Sequence, residues 1–177
     1  DEVIIIGGHL DSWDIGEGAH DDGAGCVQSI EVLRLLQSSG YKPQRTIRAI
    51  LYTNEENGLA GAKAYKLFAD VAKEKQIMAI ESDSGGHSPQ GFFYEAEAGV
   101  SPEYQQSLKE WKVLLEPYGY QFVPGSSGAD VGTLRPLKTF LLGLMPDSQR
   151  YFDYHHSSND TFDKVNRREL ELGAAAV

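Results

Sequence analysis

Histidine and carboxylate side chains recur in this sequence where an apolar run stops and a loop begins. His9 and Asp11 follow the run Val3 to Ile6, in Gly7-Gly8-His9-Leu10-Asp11-Ser12. Asp21 and Asp22 stand just ahead of Gly23, and Glu55 and Glu56 follow the run Ile47 to Thr53. Asp83 follows Gln76 to Ser82, and His155 and His156 lie in a late loop before Ser157-Ser158-Asn159-Asp160-Thr161. Imidazole and carboxylate donors without thiolate suit zinc, manganese or cobalt in a hydrolytic site. Gathered in one cleft, so many carboxylates would repel each other strongly. A divalent cation relieves that repulsion. Two cations relieve it further, about 3.5–4 Å apart if one carboxylate bridges them.

The elements that must gather these groups are legible as periodicity. Val3 to Ile6 is a β-branched run closed by glycines, as in a strand buried on both faces. Gly23 to Gln37 reads as a helix with Val27, Ile30, Leu33 and Leu36 on its apolar stripe, stopped by Gly40 and Pro43. A strand over Ile47 to Thr53, a helix over Leu59 to Lys73 and a strand over Gln76 to Ser82 follow. Ser101-Pro102-Glu103 is a helix start with a capping serine, and the helix carries Tyr104, Leu108, Trp111 and Leu115 on one stripe. Thr139 to Leu144 reads as a further strand, and Asn166-x-x-Glu169 as a capping box opening the last helix. Alternating strands and helices predict an α/β fold with a largely parallel sheet, in one domain over residues 1–177. In such sheets the carboxyl ends of the strands line the ligand crevice, which is where the acidic and histidine residues fall.

Bulk properties narrow the function classes. The net charge of −10, from 26 acidic and 16 basic residues, argues against nucleic acid and against an anionic membrane surface. No apolar run reaches the length of a membrane span. Cys26 is the only cysteine, so no disulfide can form within the chain. The chain opens on Asp1-Glu2 directly into a strand and stops at Ala174 to Val177 inside a helical pattern. The expectation is a piece of a longer protein, with an apolar face or a sheet edge left exposed.

Each motif alone has an ordinary explanation. Gly-Gly-His-x-Asp fits a strand end with a turn, and Glu55-Glu56 fits a helix N-terminus. The combination is more specific. Gly8-His9-Leu10-Asp11-Ser12-Trp13-Asp14, Gly18-Ala19-His20-Asp21-Asp22-Gly23-Ala24-Gly25, Glu55-Glu56, Glu81-Ser82-Asp83 and His155-His156-x-x-x-Asp160-Thr161 occur in that order. This set resembles the co-catalytic zinc exopeptidases of the bacterial leucyl aminopeptidase and aminopeptidase Y type (peptidase family M28), and within them the plasma glutamate carboxypeptidase, or carboxypeptidase Q, subgroup. The resemblance implies a three-layer α/β fold with a mixed, largely parallel sheet, and a chain lacking the family's N-terminal segment. It implies two Zn²⁺ ions per chain: His9 and Asp83 on one, Glu56 and His156 on the other, Asp21 bridging. Glu55 would be the general base, and Asp11 would hold the ring of His9, fixing its tautomer. The substrate would be a short peptide or dipeptide, cleaved from either end, and the locale secreted, periplasmic or lysosomal. The sequence does not specify an oligomeric state.

The remaining polar residues carry weaker expectations. Family spacing selects His156 over His155, which becomes a structural or pocket-wall residue. Asp22 belongs at a helix N-terminus, His20 is not expected to be a ligand, His87 is expected to face solvent, and Cys26 to be buried. Asp130, in Ser126-Ser127-Gly128-Ala129-Asp130, resembles a residue of a loop bordering the substrate pocket; a helix cap is the competing reading. Tyr154, with Tyr151 and Phe152, forms either an aromatic wall for substrate or core packing. Two alternatives share the fold: a single-zinc acyltransferase of the glutaminyl cyclase kind, and a non-catalytic receptor-like domain.

Overall fold

A computed structural model describes residues 2–95 and 102–177. They form a sheet of six strands in the order β2-β1-β3-β6-β4-β5. The strands are β1 (Glu2–His9), β2 (Thr46–Tyr52), β3 (Lys75–Glu81), β4 (Pro89–Tyr94), β5 (Gln121–Pro124) and β6 (Phe140–Pro146). The helices are α1 (Ala24–Ser38), α2 (Ala60–Ala72), α3 (Pro102–Leu115), the short α4 (Ala129–Gly132) and α5 (Arg167–Ala176). β1 runs parallel to β2 and β3, and β3 parallel to β6. β4 opposes β6, and β5 follows β4 in parallel, so the sheet is mixed.

Side chains alternate across each strand, which divides the core between two faces. Val3, Ile5, Ala79 and Leu141 meet Ala62 of α2 and Val131 of α4. On the opposite face Ile6 meets Val32 of α1 and Ala174 of α5. On that face, too, Ile80, Phe140, Leu142 and Leu144 meet α3 through Leu108, with Tyr104, Trp111 and Leu115 packed beside it, as the stripe predicts. The three layers follow from this division.

The sequence reading missed β4 and β5, which are short and interrupted by glycine and proline. The α1 stripe also differs from expectation. Val27 and Ile30 are about half exposed, whereas Cys26, Gln28, Ser29 and Val32 are buried. Gln28 is buried because its amide is fully used: it accepts from Ser82 Oγ at 2.6 Å and donates to the Leu170 carbonyl at 3.3 Å. Asn166 caps α5 by accepting from the N–H groups of Arg168 and Glu169. Glu169 does not complete the expected box, because its carboxylate takes Arg150 and Ser88. Ser101, the expected cap of α3, lies outside the described residues. Leu67, Phe68 and Val71 of α2 are exposed, and β2 and β5 are the sheet's edges among the described residues. No helix among the described residues is long and apolar enough to cross a membrane.

Close approach of backbone fixes how α1 enters the sheet. A Cβ on Gly25 would run into the Ser82 carbonyl oxygen and the Asp22 carboxylate, and one on Gly8 into the same carboxylate. Gly25→Ala must therefore separate α1 from β3 and is expected to cost about 2 kcal/mol or more. Thermal unfolding followed by circular dichroism checks this. A melting temperature within about 1 °C of the parent's would contradict it.

Candidate metal centre

The chain leaves β1 for β2 on one side and then crosses to β3 on the other, so its connections reverse direction at β1. A crevice opens beyond the carboxyl ends of the strands at such a reversal. His9 is the last residue of β1, and Asp83 lies just beyond β3. The His9 N–H donates to Asp22 at 2.9 Å, and its carbonyl accepts from Cys26 Sγ at 3.0 Å. Its ring Nδ1 lies 2.9 Å from the carbonyl oxygen of Asp11, which places a proton on that nitrogen and turns Nε2 into the crevice. Nε2 stands 3.2 Å from Asp21 Oδ1 and 3.2 Å from Asp83 Oδ1. Burial alone would disfavour charge on this ring. The two carboxylates outweigh it and hold the imidazole protonated, pushed up to about 12.

A second group forms around the other oxygen of Asp21. His156 Nε2 lies 2.9 Å from Glu56 Oε2 and 3.4 Å from Asp21 Oδ2. His155 Nε2 is 3.6 Å from the same Asp21 oxygen. The His156 ring stacks on Trp13 at 4.4 Å and on His155 at 3.7 Å, between centroids. Asp21 therefore shows one oxygen to His9 and the other to His156, as a bridging carboxylate must. Asp21 Oδ2 and Glu56 Oε1 are closed off from solvent without a hydrogen bond. Buried carboxylate oxygens in that condition are costly. Burial raises the Glu56 carboxyl, with the charge of Asp21 adding to the effect. Glu55, half-buried, is raised by burial and then by Asp83.

Further carboxylates hold the ligand-bearing loops in place. The Asp11 side chain accepts the N–H groups of Glu55 at 3.1 Å and Glu56 at 3.3 Å. Asp11 meets the His9 ring, as expected, but through its carbonyl oxygen; its Oδ1 stands 3.9 Å from Nδ1. Asp22 accepts from Gly25 N–H in the first turn of α1, as expected, and also from His9. Asp160 accepts from the N–H groups of His20 at 2.7 Å and Asp21 at 3.0 Å. Glu81, fully buried, accepts from Val131 N–H at 2.7 Å and from Asp130 N–H at 3.4 Å. Only the motif positions of Asp160 and Glu81 were legible in sequence, not these roles. The sequence signal for Glu81 was an acid closing an apolar strand. Asn54 and His156 carry their neighbours through the left-handed region, with φ of 64° and 53°.

Several polar residues lie beneath the site. His87 is buried, against the expectation of solvent exposure, because its ring stacks on His20 at 4.5 Å. His20 accepts from Gly86 N–H and stacks on Tyr154 at 4.9 Å, so one face of that tyrosine is spent on core packing. Asp130 is fully buried, and neither carboxylate oxygen has a hydrogen bond. Burial and the charge of Glu55 push it up to about 7. It is neither at the surface of the crevice nor the cap of α4, which begins after Gly128.

The model of peptidase family M28 matches residues 1–177. The chain belongs to this family. Rat (Rattus norvegicus) carboxypeptidase Q is 34% identical over 176 residues, covering 99% of this chain and 36% of the relative. The chain thus spans about a third of the length of that curated M28 relative. A peptidase M28 precursor from Shewanella amazonensis, of known crystal structure, is 37% identical with a TM-score of 0.88, covering 99% of this chain and 39% of that one. A zinc aminopeptidase from Bacillus subtilis, 19% identical, shares the fold with a TM-score of 0.74 over 99% of this chain and 45% of its own. The mixed, largely parallel sheet is the fold of these M28 structures.

Proton displacement gives a direct test of the centre. A zinc ion entering beside His9, Asp21 and Asp83 must displace any proton these groups share. Calorimetric zinc titrations of metal-stripped protein at pH 7, in buffers of differing ionisation enthalpy, should show net proton release. Uptake of zinc without release would contradict the arrangement.

Proposed function

We propose that the intact protein is a zinc-dependent exopeptidase acting on short peptides, and that this chain supplies its metal ligands and its general base. One observation carries the reading: two imidazole–carboxylate groups meet on the opposite oxygens of Asp21. The donors fit the metal. All are imidazole nitrogens or carboxylate oxygens, and two of the buried carboxylate oxygens, Asp21 Oδ2 and Glu56 Oε1, have no hydrogen bond. His9 and Asp83 would hold one zinc, Glu56 and His156 the other, with Asp21 shared. Zinc bound there would bring the pKa of a water toward about 7 and polarise the scissile carbonyl.

The chain's own residues do the rest. Glu55 takes the proton from the attacking water and returns it to the leaving amine. Burial favours the protonated form of Glu55 between the two transfers. The Asp11 carboxylate fixes the Glu55 and Glu56 backbone, and the Asp11 carbonyl fixes the His9 ring. Trp13 and His155 confine the His156 ring between two flat faces. The family resemblance favours a secreted, periplasmic or lysosomal setting. The single-zinc cyclase reading is disfavoured because imidazole donors gather on both oxygens of Asp21.

Glu55→Gln in the full-length protein is expected to lower kcat on dipeptides about 10²–10⁴-fold. Elemental analysis should still find about two zinc ions per chain. Turnover near the parent's would remove Glu55 as base. A single tightly held zinc in the parent would favour the cyclase-like chemistry instead.

A further inference from the structure

Three near-parallel rings meet beneath the metal centre, and each comes from a different ligand-bearing segment. His20 immediately precedes Asp21, the carboxylate that faces both ligand groups. His87 follows Asp83 by four residues, and Tyr154 precedes His156 by two. Ring centroids stand 4.5 Å apart for His20 and His87, 4.9 Å for His20 and Tyr154, and 6.1 Å for His87 and Tyr154. The interplanar angles are 20°, 14° and 30° in the same order. These separations fall in the range of attractive aromatic pairs, roughly 4.5–7 Å. Three stretches far apart in the chain thus touch through their rings, each beside a residue that would hold metal.

His87 contributes a flat face rather than its nitrogens. Its ring is fully buried, and neither nitrogen has a hydrogen bond. Glu169 Oε2 stands 3.9 Å from Nδ1 and is already taken by Arg150. Burial lowers the His87 imidazole, so it packs as a neutral plate. His20, also fully buried, is fixed at both ends: its N–H donates to Asp160, and its Nδ1 accepts from Gly86 N–H at 3.1 Å. Gly85 permits that approach. A Cβ there would stand 3.1 Å from the His87 ring and 3.2 Å from the His20 ring, at a φ of 86°. A close-packed interior offers no room to absorb the displacement of one ring, so its neighbours must move with it.

We propose that the stack of His20, His87 and Tyr154 is a positioning device for the metal pair, setting Asp21, Asp83 and His156 relative to one another so that both zinc positions can be filled together. This rests on the two-zinc reading above. Two ions sharing one carboxylate need a narrow spacing, about 3.5–4 Å, whereas a single ion needs only one ligand group. Loss of a ring therefore weakens the second zinc more than the first. Metal-stripped full-length protein is titrated with zinc against a chelating competitor at pH 7, well below its melting temperature. His87→Ala and Tyr154→Leu should each weaken the second zinc by about tenfold or more, the usual effect of losing support around metal ligands, and leave the first nearly as in the parent. His87→Phe keeps a flat ring and lacks only the unbonded nitrogens, so it should restore the second zinc to near the parent's affinity. In cobalt-loaded protein, magnetic coupling between the paired ions should weaken in His87→Ala and recover in His87→Phe. Second-zinc affinity unchanged in folded His87→Ala and Tyr154→Leu, even with a lower melting temperature, would make the stack core packing alone and overturn the proposal. So would a loss in His87→Phe as large as in His87→Ala. Where His87→Ala does not fold, Tyr154→Leu, at a partly exposed residue, decides by the same readout. A parent that binds fewer than two zinc ions overturns the two-zinc reading, and this inference with it.

Discussion

Negative charge crowded into a partly dry cleft is the constraint around which this chain is organised. Asp21, Asp83, Glu55 and Glu56 converge beyond the ends of three parallel strands, with Asp11, Asp22, Asp130, Asp160 and Glu81 close behind. Carboxylates this close cannot all remain charged and unpaired. The fold resolves the problem in two ways. The outer carboxylates Asp11, Asp22, Asp160 and Glu81 are each stabilised by backbone N–H groups. The inner ones are left facing imidazoles, and oxygens of Asp21 and Glu56 remain without hydrogen bonds. The outer group builds the loops, and the inner group faces the imidazoles of His9, His155 and His156.

The same division explains how precision is achieved on loops. The segments of His9, Asp21 and Glu55–Glu56 are each pinned by a carboxylate from elsewhere in the chain. Asp160 reaches back to the backbone of His20 and Asp21, and Asp11 crosses to the Glu55 and Glu56 backbone. Charge-assisted bonds to backbone are stronger than neutral ones and direction-specific, so they fix loops that packing alone would leave loose. The buried stack of His20, His87 and Tyr154 adds a rigid floor beneath the loop that carries His156. The protonated His9 is consistent with this picture: without metal, the imidazolium supplies the positive charge that Asp21 and Asp83 require.

Glycine governs the parts of the site where backbone itself is the wall. Gly8 and Gly25 let α1 approach the ends of β1 and β3 closely enough for Asp22 to serve both. Gly128 likewise lies against the Glu81 carboxylate, and Gly143 against the carbonyl oxygens of Ser126 and Ser127, so backbone approaches backbone closely on both sides of the crevice.

The sequence by itself determined the elements and the list of chemical groups. Periodicity located the strands ending near His9, Glu55 and Asp83, and the strand-end placement of the acids already implied a shared crevice. It could not assign hydrogen bonds between residues far apart in the chain, because spacing carries no information about which loop a carboxylate will meet. Hence Asp11 was legible as the partner of the His9 ring, but not that its carbonyl makes that contact while its carboxylate turns to the Glu55 and Glu56 backbone. Hence, too, Val27 and Ile30 were read as core: the apolar period of α1 was visible, but the buried amide of Gln28 was not. His87 was placed in solvent because a glycine-rich loop usually lies there. Only tertiary structure, by stacking it on His20 from a segment far away in sequence, put it in the interior.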